Sequence, residues 1–355
     1  TGAENTAVGS NALENNTASQ NTAVGHDASQ ANTTGAHNTA VGAFSQHVNT
    51  TGSHNTSVGK SSLGYNTTGS YNTALGRNAM NANTTANYNT GVGYQALYAN
   101  TTGYENVAVG SNALDANTTG FVNTAVGHGA LGANTDAGRN TAIGKDALAA
   151  NTTGERNTSV GHDSLLVNTT GDYNSALGQN ALAANTTGSN NVAVGYGALD
   201  ANTTATENTA VGALSLSSNT TGTYNTAVGR KALEDSTTSD NNTACGAFSL
   251  RDNTTGTRNT ALGASALDGN TTGDDNTSVG ASALAANTTG TQNTAVGAYA
   301  LDAGNHSNCN AFGYQALSAN TTGASNCAFG SHALQLNTTA ANNSAFGHRA
   351  LDANT

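Results

Sequence analysis

Residues 276–292 read N-T-S-V-G-A-S-A-L-A-A-N-T-T-G-T-Q, and close variants of this unit follow one another along the whole chain. The consensus is N-T-A-V-G-x-x-A-L-x-A-N-T-T-G-x-x, whose positions we number 1 to 17 from the first Asn. Position 5 is a glycine in each of 21 copies, from Gly9 to Gly347, and the copies that begin at Asn5 and Asn293 are one residue short. A fixed period in this range is typical of stacked repeat architectures, in which each unit contacts its neighbours. The period therefore predicts the class of fold.

Composition supports an ordered chain without internal boundaries. Charged residues make up 9% of the sequence and proline is absent, whereas ordinary domains contain roughly 25% charged residues. The regularly placed Val and Leu distinguish the chain from a disordered polar tract, and the lack of proline suits a hydrogen-bonded ladder. We expect a single continuous repeat array over residues 1–355. Because both ends fall within a repeat, we also expect it to be a fragment of a longer fibrous protein.

The stretch T-A-V-G predicts a short β-strand that ends in a bend. Successive side chains of a strand point to opposite faces, so positions 2 and 4 share one face and position 3 lies on the other. Position 4 is apolar in every copy and position 9 is Leu in 18 copies, while charged residues concentrate at positions 6, 7, 10, 11, 16 and 17. We therefore predict an all-β fold, a parallel β-solenoid (β-roll) of 21 coils, with both aliphatic columns inside.

The polar positions of the repeat fit the same coil. Like positions of successive coils would stack about 4.8 Å apart, so the Asn residues at positions 1 and 12 would form ladders of side-chain amides. Glycine at position 5, and usually at position 15, would supply bends with positive φ or places where backbones crowd. A core of one Val and one Leu per coil is thin. We therefore expect position 4 or position 9 to face an axis between several chains.

The residues carry a resemblance to two families of fibrous proteins. The N-T-A-V-G-x-x-A-L core is similar to the S-V-A-I-G-x-x-A-x-A head repeat of trimeric autotransporter adhesins. Residues 94–97 and 314–317, both Y-Q-A-L, resemble repeats of phage and bacterial tail-fibre proteins. The likeness covers essentially the whole chain and implies a left-handed β-roll in which three chains intertwine as a homotrimer. The adhesin unit is shorter, so the N-T-T-G-x-x loop is extra here, and the likeness includes no membrane anchor or chaperone domain.

Exposed aromatic residues are the main candidates for ligand binding. Tyr71 and Tyr88 share position 17 and should stand one above the other, with Tyr104 next to them. Exposed aromatic rings bind sugars or protein partners, so a surface glycan or a protein receptor is a candidate partner. The alternative is that these tyrosines are exposed turn residues without a ligand.

Two cysteines near the end of the chain are candidates for a disulfide. Cys327 lies at position 2, and Cys309 precedes the irregular N-A-F-G stretch of residues 310–313. If Asn310 is bulged out, Cys309 and Cys327 stack on adjacent coils within disulfide distance. The third cysteine, Cys245, takes the place of Val at position 4 and is expected to be a small buried apolar residue.

Several classes of function are not expected. The histidines lack neighbouring Cys or carboxylates at metal-ligand spacing, and no Ser-His-Asp arrangement recurs, so we expect no metal, no cofactor and no enzymatic activity. The net charge of −11, with ten Lys and Arg residues, argues against nucleic-acid binding. No apolar run approaches the length of a membrane span, so we expect no membrane insertion in this segment.

The function predicted from the sequence is structural. We expect an extracellular fibre segment, at a cell surface or on a virion, that forms the shaft or head of a tail fibre or adhesin and spaces or presents a receptor-binding tip. One alternative is a self-assembling extracellular filament subunit. Another is an ice-binding solenoid, although consecutive Thr residues of the N-T-T triplet would point to opposite sides of a strand.

Overall fold

The structure is a computed structural model that describes residues 2–354, and it confirms an all-β parallel solenoid built on the 17-residue repeat. Within that described range every coil contributes one three-residue strand and there is no helix. Two compact units make up the chain, residues 1–174 and 175–355. The strands of the first unit are β1 Thr6–Val8, β2 Thr22–Val24, β3 Thr39–Val41, β4 Thr56–Val58, β5 Thr73–Leu75, β6 Thr90–Val92, β7 Val107–Val109, β8 Thr124–Val126, β9 Thr141–Ile143 and β10 Thr158–Val160. Those of the second unit are β11 Ser175–Leu177, β12 Val192–Val194, β13 Thr209–Val211, β14 Thr226–Val228, β15 Thr243–Cys245, β16 Thr260–Leu262, β17 Thr277–Val279, β18 Thr294–Val296, β19 Asn310–Phe312, β20 Cys327–Phe329 and β21 Ser344–Phe346.

Within each unit every strand pairs in parallel with the next, and like positions of the repeat face each other. In the first unit Val41 lies opposite Val58, and Val58 lies opposite Leu75. In the second unit Val211 lies opposite Val228. The predicted vertical register is therefore confirmed, including across the shortened copy, where Val296 lies opposite Phe312.

Each strand ends at position 4, because the residue at position 5 adopts a backbone conformation that only glycine reaches easily. Gly144, for example, has φ = 136°, and a Cβ atom there would lie 2.4 Å from the carbonyl oxygen of Gly161 in the next coil. A side chain at position 5 would therefore meet both torsional strain and a backbone clash. The bend and the close backbone approach predicted for this glycine are confirmed.

The turn after the strand is built from residues in the left-handed region. Asn112 at position 7 and Leu114 at position 9 have φ values of 58° and 53°, a region that residues other than Gly enter at some cost. These two backbone N–H groups point to different coils. The Asn112 N–H donates to the Tyr94 carbonyl of the preceding coil, and the Leu114 N–H donates to the Ala130 carbonyl of the following coil. The turns thereby satisfy backbone groups along both directions of the stack.

The interior of a coil contains small apolar residues, one Leu and two Asn. In the coil that begins at Asn106, this residue and Ala108, Ala113, Leu114 and Asn117 are all fully buried. They occupy positions 1, 3, 8, 9 and 12 of the repeat. The prediction that position 9 is a core column is confirmed.

The predicted ladders of Asn side chains are confirmed in both columns. At position 1, the Asn123 N–H donates to Asn106 Oδ1 over 3.0 Å, and Asn106 Nδ2 donates to the Gly120 carbonyl over 2.8 Å. At position 12, Asn117 Nδ2 donates to Asn100 Oδ1 at 2.9 Å and to the same Gly120 carbonyl at 3.1 Å. A Cβ atom at Gly120 would lie 2.3 Å from Asn117 Oδ1. Two amides thus converge on the position-15 carbonyl, and Ala137 at this position accepts the same pair of hydrogen bonds.

The prediction that position 4 also lies inside is wrong. Position 3 faces the interior instead, so positions 2 and 4 of each strand point outward, and Cys245, expected to be buried, is partly exposed. The interior is too narrow for a branched side chain beside the Leu column, because position 3 packs directly against position 9. Position 3 is Ala in most copies, and at Gly91, which faces the longer Met80, a Cβ atom would approach Met80 Cγ to 2.9 Å.

Candidate functional site

Within each unit the outward side chains of the strands form a surface that we call the TxV face, defined as positions 2 and 4 of every coil of that unit. In the first unit the exposed fractions of Leu75, Val109 and Ile143 are 45%, 37% and 40%. In the second unit Leu177 and Leu262 are about half exposed. Single exposed apolar side chains are ordinary, but a column that recurs in every coil of a unit is a contiguous apolar surface of the kind that marks interaction sites.

At the end of the second unit the apolar column becomes aromatic. The Phe312 and Phe329 rings stack with centroids 4.3 Å apart, and Phe329 and Phe346 stack at 5.3 Å. Phe346 is 71% exposed. These three rings enlarge the apolar area of the TxV face in β19–β21.

The tyrosines predicted as ligand-binding candidates fall into two stacks. Tyr71 and Tyr88 stack at 5.1 Å, as predicted, in a position-17 column that begins with His37 and His54. Tyr104 belongs to position 16 and stacks on Phe121 at 5.4 Å, where the Arg139 guanidinium also lies over the Phe121 ring. Tyr71, Tyr88 and Tyr104 are all about half exposed. The structure brings Tyr71 and Tyr88 together, and their ligand-binding role stays a prediction.

The predicted disulfide between Cys309 and Cys327 is wrong, and both residues are free thiols. Asn310 is not bulged; it pairs in register with Cys327, so Cys309 takes the place of an Asn at position 1. Its Sγ points into the coil, 3.3 Å from the Gly323 carbonyl, and burial raises the pKa of this thiol. Cys327 lies on the opposite, outward face of its strand. The copy that begins at Asn293 is one residue short, and this difference is accommodated in the loop before β19, so the strand register is preserved.

That loop contains His306, whose side chain is buried. The His306 carbonyl accepts a hydrogen bond from Asn293 Nδ2 at 2.8 Å, as a position-15 glycine does elsewhere. Burial lowers the pKa of His306 to about 4. Its Nε2 atom and Asn287 Oδ1 in the preceding coil are buried without a hydrogen-bond partner. The position-12 amide ladder is interrupted at this coil.

Charged residues lie at the corners and pair mainly with neighbours in sequence or in the next coil. Arg258 Nε lies 2.6 Å from Asp275 Oδ1 in the next coil, and Lys145 Nζ lies 2.8 Å from Asp146 Oδ2. Lys145 lowers the pKa of Asp146, and burial raises the pKa of Asp200. Over residues 2–354 no three His, Cys, Asp or Glu side chains are grouped so that they could hold a metal ion. In the same range no helix is long and apolar enough to cross a bilayer.

One cavity in the first unit was not predicted from the sequence. It has a volume of about 240 Å³ and is lined by Phe44, His47, Ser61, Gly64, Tyr65, Asn78 and Asn81. These residues occupy positions 7, 10 and 11 of three successive coils. The available signal was a local departure from the consensus: residues 44–47 read F-S-Q-H where most copies have x-A-L-x, and Gly64-Tyr65 follows in the next copy.

Comparison with known proteins gives no relative for the chain: no family model matches it, and no curated protein is significantly similar to it in sequence.

Proposed function

We propose that the chain is a structural segment of an extracellular fibre, the shaft or head of a tail fibre or surface adhesin that spaces or presents a receptor-binding tip. The observation that carries this proposal is the TxV face. An apolar column that repeats in every coil of a unit, with side chains such as Ile143 and Leu177 roughly half exposed, is stabilised when other chains cover it. The resemblance of the repeat to adhesin heads and tail fibres, at a cell surface or on a virion, supports the same role.

The proposed assembly is a homotrimer in which three copies turn their TxV faces toward a common axis. Leu at position 9 is fully buried within its own chain, so of the two columns considered from the sequence only position 4 remains for contacts between chains. Like residues of identical chains meet at a symmetric axis. Small or β-branched side chains in most coils, and stacked Phe rings in β19–β21, would then form the shared core.

Sedimentation equilibrium of the chain and two matched double variants tests this assembly. The wild-type chain is expected at three times its 35.1 kDa mass. Val109→Asp with Ile143→Asp places two charges in the TxV face and should lower the assembled fraction, because a buried unpaired carboxylate is costly. Thr102→Asp with Thr119→Asp adds the same charge at exposed position 14 and should sediment like wild type. A well-folded monomeric wild-type chain would contradict the proposal.

Ice binding is a second candidate, supported by a different feature of the same face. Thr at position 2 and Val at position 4 point outward together, and like positions recur about every 4.8 Å along a stack, which gives a regular array of hydroxyl and methyl groups. The N-T-T triplet contributes less, because the first Thr hydroxyl is engaged: Thr50 Oγ1 donates to the Thr67 carbonyl at 3.0 Å. Thermal hysteresis in dilute solution would favour this function over the fibre. The filament alternative predicts indefinite rather than finite particles in electron micrographs.

A further inference from the structure

The cavity of the first unit lies where several departures from the repeat meet on one surface. In column 10, Gly64 lies between His47 in the preceding coil and Asn81 in the following coil. The Asn81 side chain comes close to Gly64, since a Cβ atom there would lie 2.7 Å from Asn81 Nδ2. Tyr65 is the single aromatic residue of column 11, and Phe44 stands in column 7 one coil earlier. These departures from the consensus all line one cavity.

The two rings give the cavity apolar walls that solvent and a ligand can reach. Tyr65 is 60% exposed, and Phe44 is held in place by edge contacts with His26 at 5.3 Å and His47 at 5.7 Å. A flat aromatic surface held by its neighbours contributes contact area with little loss of conformational freedom on binding.

Two of the polar side chains that line the cavity, Asn78 and His47, can offer groups to a ligand. The Asn78 side-chain amide has no hydrogen-bond partner among residues 2–354, whereas Asn81 Nδ2 is committed to the Ser61 carbonyl at 2.8 Å. His47 Nδ1 lies 3.4 Å from the Asp27 carbonyl, a contact that favours a proton on Nδ1 and leaves Nε2 free to accept. The site thus offers an amide donor and acceptor and an imidazole acceptor.

The size and charge of the cavity limit the ligand. Its volume of about 240 Å³ is below the 300–1,000 Å³ of sites for drug-sized molecules. None of the lining side chains is an acid, a lysine or an arginine. A small, neutral, polyhydroxylated ring with one apolar face fits these conditions, because its apolar face can stack on an aromatic ring while its hydroxyls exchange hydrogen bonds with an amide and an imidazole.

We propose that Phe44, His47, Tyr65 and Asn78 form a binding site for one neutral sugar ring of a glycan. The TxV face contributes nothing to this site, whose residues occupy positions 7, 10 and 11. The test of sugar binding is therefore independent of the test of the oligomeric state. It gives the repeat array itself a recognition function in addition to spacing a tip.

Saturation-transfer NMR and titration of the full chain with methyl glycosides test the site. The probes are methyl glucoside, methyl galactoside and methyl N-acetylglucosaminide, with sialic acid as a charged comparison. We expect at least one neutral glycoside to bind, with Kd raised at least tenfold by Tyr65→Ala and by Asn78→Ala.

Two control variants keep the same chemistry at other coils. Asn180→Ala changes the same position 7, with nearly the same backbone conformation as Asn78, and Tyr224→Ala removes a similarly exposed tyrosine; both should bind like wild type. The proposal is overturned if none of the neutral glycosides binds, if sialic acid binds more tightly than they do, or if the two controls weaken binding as much as the site variants.

Discussion

Met80 and Gly91 show how the size of one side chain is matched to that of another in the neighbouring coil. Met80 is the one Met at position 9, and Gly91 is the one Gly at position 3. The contact between these positions is direct, since a Cβ atom at Gly91 would lie 2.9 Å from Met80 Cγ. The interior therefore accepts the longer Met because the facing residue gives up its methyl group, as expected for a densely packed core.

A double-mutant cycle at this pair measures the coupling. Gly91→Ala alone should lower the free energy of unfolding by about 2 kcal/mol through overpacking. The same change combined with Met80→Leu restores the consensus Ala–Leu pair and should cost nothing or stabilise the chain. Urea unfolding followed by circular dichroism gives the four values, and the interaction energy should be on the order of 1–2 kcal/mol. Additive effects would show that the two side chains do not share one space.

A second residue-scale match involves polar groups. Gln46 replaces the position-9 Leu and is fully buried, and its Nε2 donates to Ser57 Oγ at 3.2 Å and to the Thr39 carbonyl at 3.1 Å. Ser57 replaces the usual position-3 Ala, and Ser45 replaces the position-8 Ala and hydrogen-bonds Ser57. The polar neighbours thus satisfy Gln46 Nε2, whereas Gln46 Oε1 is buried without a hydrogen-bond partner among the described residues.

How far single residues could be predicted depends on what their side chains require. Glycine at position 5 was predictable because no other residue combines its φ with that close backbone approach, and the Asn columns were predictable from the needs of stacked amides. The outward direction of Val at position 4 was not predictable. The alternation of side chains along a strand places positions 3 and 4 on opposite faces but does not indicate which face is inside. The left-handed Leu at position 9 carries no local sequence signal, since tertiary burial holds it there.

At the scale of the coil, the stacking of Tyr71 on Tyr88 could be predicted from the sequence, whereas the cavity could not. The stack was predictable because both residues occupy position 17 of consecutive repeats. The cavity required the relative placement of positions 7, 10 and 11 across three coils, which depends on the left-handed turn residues such as Ser61 and Leu63. A repeat thus predicts columns readily and predicts contacts between columns only once the turn geometry is known.

The shortened coil around His306 gives an element-scale prediction of pH dependence. The folded-state pKa of about 4 lies below the ordinary 6.5, so the folded chain binds fewer protons than the unfolded chain between these values. Stability should therefore fall as the pH drops from about 6.5 to about 4, by up to roughly 3 kcal/mol, and this loss should level off at lower pH.

Comparison with His306→Asn isolates this contribution. Burial raises the pKa of Asp302 in the same coil, and that carboxyl has the opposite effect, favouring the folded state as the pH falls. Unfolding free energies of both proteins at pH 7.0 and pH 4.5 remove the shared contribution of Asp302. The variant should lose less stability than the wild type on acidification. An equal loss in both would show that His306 is not the responsible group.

At the scale of the whole molecule, apolar residues occupy two places, the interior of each unit and the outward TxV face. Ala and Leu fill a narrow interior within each unit, while the branched and aromatic residues of position 4 lie on the TxV face. The cysteines follow this division: Cys309 points inward, whereas Cys245 at position 4 and Cys327 at position 2 are partly exposed on outward faces. A fibre made of several such chains would have its own core within each chain and a second core between them.

Cross-linking through Cys245 tests this two-core arrangement most directly. In a Cys327→Ser chain, Cys245 is the remaining thiol on the TxV face, and faces turned to a shared axis bring its copies together. A short bis-maleimide should yield covalent dimers on a denaturing gel, and the additional change Cys245→Ser should abolish them. An assembled protein whose Cys245 thiols all react singly, without any covalent dimer, would contradict the account.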